Sequence, residues 1–166
     1  EPDLVYAGWE SNFSPEGVGT RTDLQKLGVA SYVSPSACQS KGQPDPLTWG
    51  HIFSDIEEIG RIFGVEEEAE ALVASQKRVL DAVTPNNGLG RTALWYSSGS
   101  DTPYVGAGIG APQLLMDSVG LTNIAEDLDA TWAPFNWEAV VDADPDFIIL
   151  IDSEWNSAEH KIEVLE

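Results

Sequence analysis

The chain alternates between short apolar runs and longer stretches in which apolar residues recur at helical spacing. Four apolar runs, each followed by a polar loop, predict buried β-strands at residues 4–7, 29–33, 92–96 and 147–151. The last run is apolar throughout, as expected for a strand of a parallel sheet that is covered on both faces.

Two helices are predicted between the second and third strands. The first begins after Thr48, a residue suited to cap a helix, and ends at Gly64. The second begins with three consecutive glutamates, whose charge suits the positive end of a helix, and its apolar stripe continues to Pro85. The spacing therefore predicts a long helix of about five turns over residues 66–84. Shorter helices are predicted at residues 24–27, 114–119 and 136–141.

An internal similarity suggests how these elements are arranged. Residues 1–6 and 144–149 both read acid-Pro-Asp followed by an apolar strand, and a polar loop with a tryptophan follows each strand. The sequence therefore predicts two similar α/β lobes joined by the long helix, although Pro-Asp before a strand is also a common turn. The predicted division is residues 1–64 for part of the N-terminal lobe, 65–85 for the connecting helix and 86–166 for part of the C-terminal lobe.

Composition and charge narrow the function classes. Hydrophobic residues make up 42% of the 166 residues, enough for a buried core, and no run approaches the roughly 20 apolar residues of a membrane helix. The chain has 28 acidic and 8 basic residues, a net charge of -20. Nucleic acid and anionic membranes are therefore poor partners. This acidity keeps a secreted or surface protein soluble, or it attracts cations.

The chain does not begin with Met and enters its first strand almost at once, which looks like the middle of a longer protein.

Candidate ligand-binding residues follow the predicted strands, because open α/β sheets bind ligands beyond the carboxyl ends of their strands. The candidates are Trp9, Glu10, Ser11, Asn12, Ser98, Asp101, Tyr104, Ser153 and Trp155. Aromatic faces together with hydroxyl, amide and carboxylate groups suit a planar or conjugated polar ligand, held by stacking and oriented by hydrogen bonds. Ordinary packing between the lobes is the alternative role for the two tryptophans.

Catalytic and metal chemistry find little support in the sequence. The chain has only two histidines, and no spacing resembles a metal-ligand set, so we expect no metal and no cofactor. No serine lies in a nucleophile elbow, and Cys38 reads as an ordinary loop thiol. The competing interpretation is a dinucleotide-binding α/β enzyme, since residues 106–111 fit the G-x-G-x-x-A pattern. That pattern should open directly from a strand, and about ten residues separate it from Tyr96.

Four stretches together, in this order and spacing, resemble the helical-linker class of ABC-importer binding proteins, which carries iron-siderophores, haem and cobalamin. They are residues 2–8 with 24–29, residues 59–64 with Ala69, residues 104–110 with 114–115 and 119–123, and residues 137–141 with 144–146. A closer likeness, over residues 8–14 and 94–104, is to an actinobacterial subgroup described as carriers of a deazaflavin coenzyme precursor.

This resemblance implies an α/β fold of two Rossmann-like lobes joined by a single long helix, truncated here at both ends. It implies a binding protein, not an enzyme, that captures a siderophore-, corrinoid- or deazaflavin-like ligand between its lobes. Its partners would be an ABC permease and ATPase, and Glu16 and Asp117 lie near the places where the family docks on the permease. The implied location is extracytoplasmic, in the periplasm or at the cell surface, with a lipid anchor in the full-length protein. Sheet edges left unpaired by the truncation would favour self-association.

Overall fold

A computed structural model describes residues 2–37, 45–83 and 90–166. The chain divides into two compact units, Glu1–Val73 and Ala74–Glu166, called unit 1 and unit 2 below. The boundary between the two units falls inside residues 65–85, the helix that the sequence predicts to connect the two lobes. The end of that predicted segment, residues 84 and 85, lies outside the described residues, and the predicted lobe boundaries stay a prediction.

Unit 1 begins with a parallel β-α-β motif. Strand β1 (Leu4–Ala7) pairs in parallel with β2 (Ala30–Val33), in a register that sets Leu4 beside Ala30 and Ala7 beside Val33. Helix α1 (Arg21–Lys26) lies between them in sequence, and the Thr20 hydroxyl caps it by accepting a hydrogen bond from the Asp23 backbone N–H. The strands predicted at residues 4–7 and 29–33 are therefore confirmed, and their observed ends differ from the predicted ends by at most one residue.

Two further helices begin in unit 1. Helix α2 (Trp49–Phe63) is capped by Thr48 and ends at Gly64, whose φ of 67° is left-handed, so both predicted ends are confirmed. Helix α3 (Glu66–Asp81) starts at the predicted glutamates. The two helices approach closely, because a Cβ added at Gly60 would lie 2.5 Å from the Ala69 Cβ.

The described part of unit 2 contains a five-stranded mixed sheet, whereas the sequence predicted only two of its strands. The strands are β3 (Arg91–Ser98), β4 (Tyr104–Gly106), β5 (Leu121–Asn123), β6 (Trp132–Pro134) and β7 (Phe147–Leu150). The neighbours run β5-β3-β4-β6, and β7 also pairs with β3. Strands β5 and β7 lie parallel to β3, and β4 and β6 are antiparallel to their neighbours. The three missed strands have only three residues each, too few for apolar alternation to be recognised.

Three helices accompany this sheet: α4 (Ala111–Val119), α5 (Trp137–Ala143) and α6 (Ala158–Leu165). The Asn136 side chain caps α5 as predicted, accepting from the Glu138 backbone N–H. Helix α6, capped by Ser157, was not predicted. The α/β class expected from the sequence is confirmed.

The core of unit 2 packs around the centre of β3. Its buried members are Leu94, Tyr96, Val105, Ala125 and Val140. Strand β7 lies beside this core, but Phe147 is 40% exposed and the three residues after it are half-buried. The prediction of a strand covered on both faces is therefore wrong for the described residues, which cover β7 only in part.

Candidate ligand-binding loops

In unit 1, two loops leave the same edge of the sheet. Because β1 and β2 are parallel, with Ala7 beside Val33, the segments at residues 8–12 and 34–37 both begin at the carboxyl ends of their strands. This is the edge at which α/β sheets bind ligands. The sequence predicted candidates in the first of these loops.

The first loop forms a compact turn that brings four predicted residues together. Glu10–Asn12 forms a 3-10 helix, and the Trp9 backbone N–H donates to the Asn12 side-chain oxygen at 3.1 Å. The Trp9 side chain is 51% exposed, and Ser11 and Asn12 are exposed as well. Trp9 therefore presents its ring to solvent from an ordered turn.

The second loop rests on a buried carboxylate that the sequence analysis missed. Asp55 of α2 is only 9% exposed, and it accepts hydrogen bonds from the Ser34 hydroxyl and, at 3.4 Å, from the Ser36 backbone N–H. Asp55 lies three residues after Ile52, on the apolar side of the helix. An acidic residue on the apolar side of a predicted helix could have identified this carboxylate from the sequence. Such a residue is expected to be buried, and buried carboxylates need hydrogen-bond partners.

A pair of tyrosines lies on the opposite face of the same strands from Ser31. The Tyr32 hydroxyl donates to Glu58 Oε2 at 2.7 Å, and its ring stacks on Tyr6 with centroids 5.9 Å apart. Burial, reinforced by the hydrogen bond to Glu58, raises the pKa of Tyr32 well above its usual value. Burial also raises the pKa of Tyr96 in unit 2.

These shifts predict a loss of stability in alkali. A tyrosine whose pKa is raised by folding stabilises the protein fully below its unfolded-state pKa, and that stabilisation is lost as the pH rises above about 10. We therefore expect the free energy of unfolding from urea titrations to fall as the pH rises above about 10. The decline should be shallower in Tyr32→Phe, and an unchanged decline would show that Tyr32 does not contribute.

In unit 2, the β3–β4 connection brings Ser98, Asp101 and Tyr104 together. Ser98 and Tyr104 lie opposite each other in the antiparallel pair, and Asp101 is exposed in the loop between them. The loop is fixed at two points, because the Tyr96 hydroxyl donates to the Gly99 carbonyl at 2.9 Å and the Trp137 indole N–H donates to the Ser100 carbonyl at 2.7 Å.

The loop after β7 emerges next to this connection. Tyr96 and Leu150 are register partners, and the Ile151 backbone N–H donates to the Tyr96 carbonyl at 3.3 Å. The Ser153 hydroxyl donates to the Asn156 carbonyl at 3.0 Å. Trp155 is 75% exposed. Unit 2 thus places Asp101 in the β3–β4 connection and Ser153 and Trp155 in the neighbouring loop after β7. Ser98 and Tyr104 lie at the ends of the strands that flank the connection.

Both predicted docking residues lie at the surface. Glu16 is exposed in a turn of unit 1. Asp117 is exposed near the end of α4, where its Oδ1 accepts from the Gln113 side-chain amide at 2.8 Å. Their role in docking stays a prediction.

The glycine-rich segment, residues 106–111, connects a strand to a helix as a nucleotide-binding loop does, but protein carbonyls already accept from its backbone N–H groups at residues 107–109. β4 ends at Gly106 and α4 begins at Ala111, so a strand does directly precede the glycines, contrary to the sequence-based expectation. The backbone N–H groups of residues 107–109 donate to the carbonyls of residues 128–131 at 3.0–3.1 Å. A Cβ at Gly108 would lie 1.9 Å from the Glu126 carbonyl oxygen. Because protein carbonyls occupy these donors, the segment provides no cradle for a pyrophosphate.

In the described ranges, no group of three or more His, Cys, Asp and Glu side chains is placed to hold a metal ion. No helix described here is both long and apolar enough to cross a membrane. Cys38 lies outside the described residues.

In α/β folds, aromatic and polar loops at the carboxyl ends of the strands are a usual place for a ligand to bind. A family model described as periplasmic binding protein matches residues 1–166, and the chain belongs to that family. The family indicates an extracytoplasmic location.

Solved structures support the same fold. A periplasmic binding protein from Veillonella parvula is 28% identical with a TM-score of 0.81, over 98% of this chain and 55% of that one. An ABC-type Fe3+-hydroxamate transport system protein from Saccharomonospora viridis is 26% identical with a TM-score of 0.76, over 95% of this chain and 53% of that one. A periplasmic haem-binding protein from Vibrio cholerae, 15% identical with a TM-score of 0.69, covers 99% of this chain and 62% of its own and shows the fold alone. The chain thus spans a little over half the length of the first two. The comparison with curated proteins found no match.

Proposed function

We propose that this chain is part of the solute-binding component of an ABC importer, which captures an iron-siderophore-like ligand and delivers it to a permease. The observation that carries the proposal is the pair of exposed tryptophans, Trp9 and Trp155, each on an ordered loop beyond the end of a parallel strand. Large exposed aromatic rings next to hydroxyl and carboxylate groups suit stacking on a bulky, conjugated or chelated ligand. The binding role requires no bond to be made or broken by the chain.

The charge of these loops favours ligands without net negative charge. Residues 8–12, 34–37, 98–104 and 151–157 contain no Lys, Arg or His. They contain four carboxylates, Glu10, Asp101, Asp152 and Glu154. A neutral or cationic ferric hydroxamate complex avoids the repulsion that the carboxylates of haem would meet. The hydroxamate transport protein among the structural relatives agrees with this choice. Corrinoids and a deazaflavin remain further candidates.

Delivery would use partners outside this chain. Exposed carboxylates at Glu16 and Asp117 would pair with basic residues of the permease, and the ATPase would supply the energy for transport. A lipid anchor in the full-length protein would hold it at the membrane surface. A permease pull-down with Glu16→Gln and Asp117→Asn tests this part separately, because neither substitution touches the ligand loops.

A titration against a small panel tests the ligand class. Quenching of tryptophan fluorescence and native mass spectrometry would be measured with a ferric trihydroxamate, cyanocobalamin, haem, a deazaflavin and NAD. We expect the ferric trihydroxamate to bind with a Kd of about 1 µM or below, and more tightly than haem. Binding of NAD alone would overturn the proposal.

The contribution of Trp155 can be tested by truncation. Trp155→Ala is expected to weaken ferric trihydroxamate binding about 30-fold, the effect typical of a tryptophan at a binding hot spot. Its side chain is 75% exposed, so the free energy of unfolding should change little. Val141→Ala is a matched control, because Val141 is also 75% exposed but lies on α5, outside the loops. Equal affinities of both variants and the wild type would remove Trp155 from the site.

A further inference from the structure

Lys161 of α6 is buried beneath the loop that carries Trp155. Among the described residues it is the one lysine or arginine that is buried, with an exposure of 0%. Its Nζ donates to two backbone carbonyls, that of Ile151 and, at 2.6 Å, that of Asn156. In the described part of the chain it forms no ion pair with a carboxylate.

The two hydrogen bonds of the Lys161 ammonium group hold both ends of the loop at residues 151–156. Ile151 is the first residue after β7, and Asn156 comes just before Ser157, the cap of α6. A buried ammonium group is unfavourable unless hydrogen bonds replace its hydration, so the two carbonyls must stay in place for Lys161 to stay buried. The lysine therefore restrains the segment from residue 151 to residue 156.

Side chains within the loop add further restraints. The Asn156 carbonyl also accepts from the Ser153 hydroxyl at 3.0 Å, and Asp152 Oδ1 accepts from the Ala158 backbone N–H at 3.0 Å. Trp155 is the large side chain of this loop, and it points to solvent. A loop held in this way loses little conformational freedom when a ligand binds to it, which favours affinity.

We propose that Lys161 is a positioning residue for ligand capture: it holds residues 151–156 so that Trp155 is presented ready for stacking. This inference rests on the proposed function, in which Trp155 contacts the ligand. Lys161 itself does not reach the ligand, because its ammonium group is enclosed under the loop.

A double-mutant cycle tests the positioning role with a ferric trihydroxamate as the probe. Lys161→Met is expected to weaken binding about tenfold or more. Trp155→Ala, which weakens binding about 30-fold in the wild type, should weaken it less than about threefold in the Lys161→Met background. Lys77→Met is the matched control, since it makes the same charge change at an exposed lysine, and it should leave the affinity unchanged. Full, independent effects of Lys161→Met and Trp155→Ala would overturn the inference.

Amide hydrogen exchange of the unliganded protein gives a second readout that does not depend on the proposed function. In Lys161→Met, the amide of Asn156, which donates to the Ser153 carbonyl at 3.1 Å, should exchange at least about tenfold faster, and in Lys77→Met it should exchange at the wild-type rate. Wild-type exchange rates in Lys161→Met would overturn the positioning role even if the ligand still binds. Failure of the wild type to bind any probe would instead overturn the proposed function, and exchange would still decide the role of Lys161.

Ser153→Ala keeps the test decisive if Lys161→Met does not fold. It removes the hydroxyl bond to the Asn156 carbonyl and keeps the backbone, so the Asn156 amide should exchange faster by a smaller factor. An unchanged exchange rate in Ser153→Ala would show that these bonds do not restrain the loop.

Discussion

Replacing Gly108 by alanine is expected to lower the free energy of unfolding of unit 2 by about 3 kcal/mol or more. The added methyl group would lie 1.9 Å from the Glu126 carbonyl oxygen and 2.9 Å from that of Leu128. Both are backbone atoms, and the Leu128 carbonyl cannot move away without breaking its hydrogen bond with the Gly108 N–H, which is 3.0 Å long.

Urea unfolding followed by tryptophan fluorescence measures this effect, because four of the six tryptophans, at positions 95, 132, 137 and 155, lie in unit 2. Gly50→Ala is the matched control. A Cβ at Gly50 meets nothing closer than 3.6 Å, and alanine is the better helix former there, so this variant should be as stable as the wild type or more stable. Equal stability of the two variants would contradict the close approach at Gly108.

Replacing Leu94 by alanine is expected to lower the free energy of unfolding by about 2–5 kcal/mol. Leu94 is fully buried at the centre of β3 and packs in the core with Tyr96 and Val105. The substitution removes apolar contacts and leaves a cavity that the surrounding sheet can fill only in part.

The same unfolding measurement on Leu115→Ala is the control. Both variants replace a leucine by alanine, so a difference in their free energies of unfolding reports the difference in burial of the two leucines. Leu115 is 40% exposed on α4, so its truncation should lower the free energy of unfolding by about 1 kcal/mol or less. A similar loss for both leucines would mean that β3 is not the centre of the core.

Local signals explain which elements could be predicted. Helix α2 was predicted at both ends, because Thr48 and Gly64 act through their own backbone and nearest neighbours. The three-residue strands β4, β5 and β6 were missed, since their conformation depends on pairing with distant partners. The apolar run of β7 was recognised, but the number of its faces that are covered is a tertiary property.

The candidate site also combines features that the local sequence predicts with features that depend on tertiary contacts. The positions of Trp9 and Trp155 followed from the ends of the strands, because parallel strands bring these loops to one edge within each unit. The groups that restrain the loops were not predicted. Asp55 gave a visible signal as an acid on an apolar helix face, whereas Lys161 lies in a short helix whose sequence, AEHKIEVL, gives no sign of burial.

The glycine-rich segment shows how tertiary contacts override a motif. Residues 106–111 do run from the last residue of a strand to the first residue of a helix, as a dinucleotide loop would. The carbonyls of residues 128, 130 and 131 accept hydrogen bonds from the backbone N–H groups of residues 107–109, and only the folded chain reveals that contact.

The measurement that tests the central claim most directly is a hydrogen-exchange comparison of the protein with and without a ferric trihydroxamate. If the ligand binds at the carboxyl ends of the strands, protection should concentrate in residues 8–12, 34–37, 98–104 and 151–157, with helix α3 unchanged. Protection confined to the helices or to residues 106–111, with these four segments exchanging as in the free protein, would contradict the account.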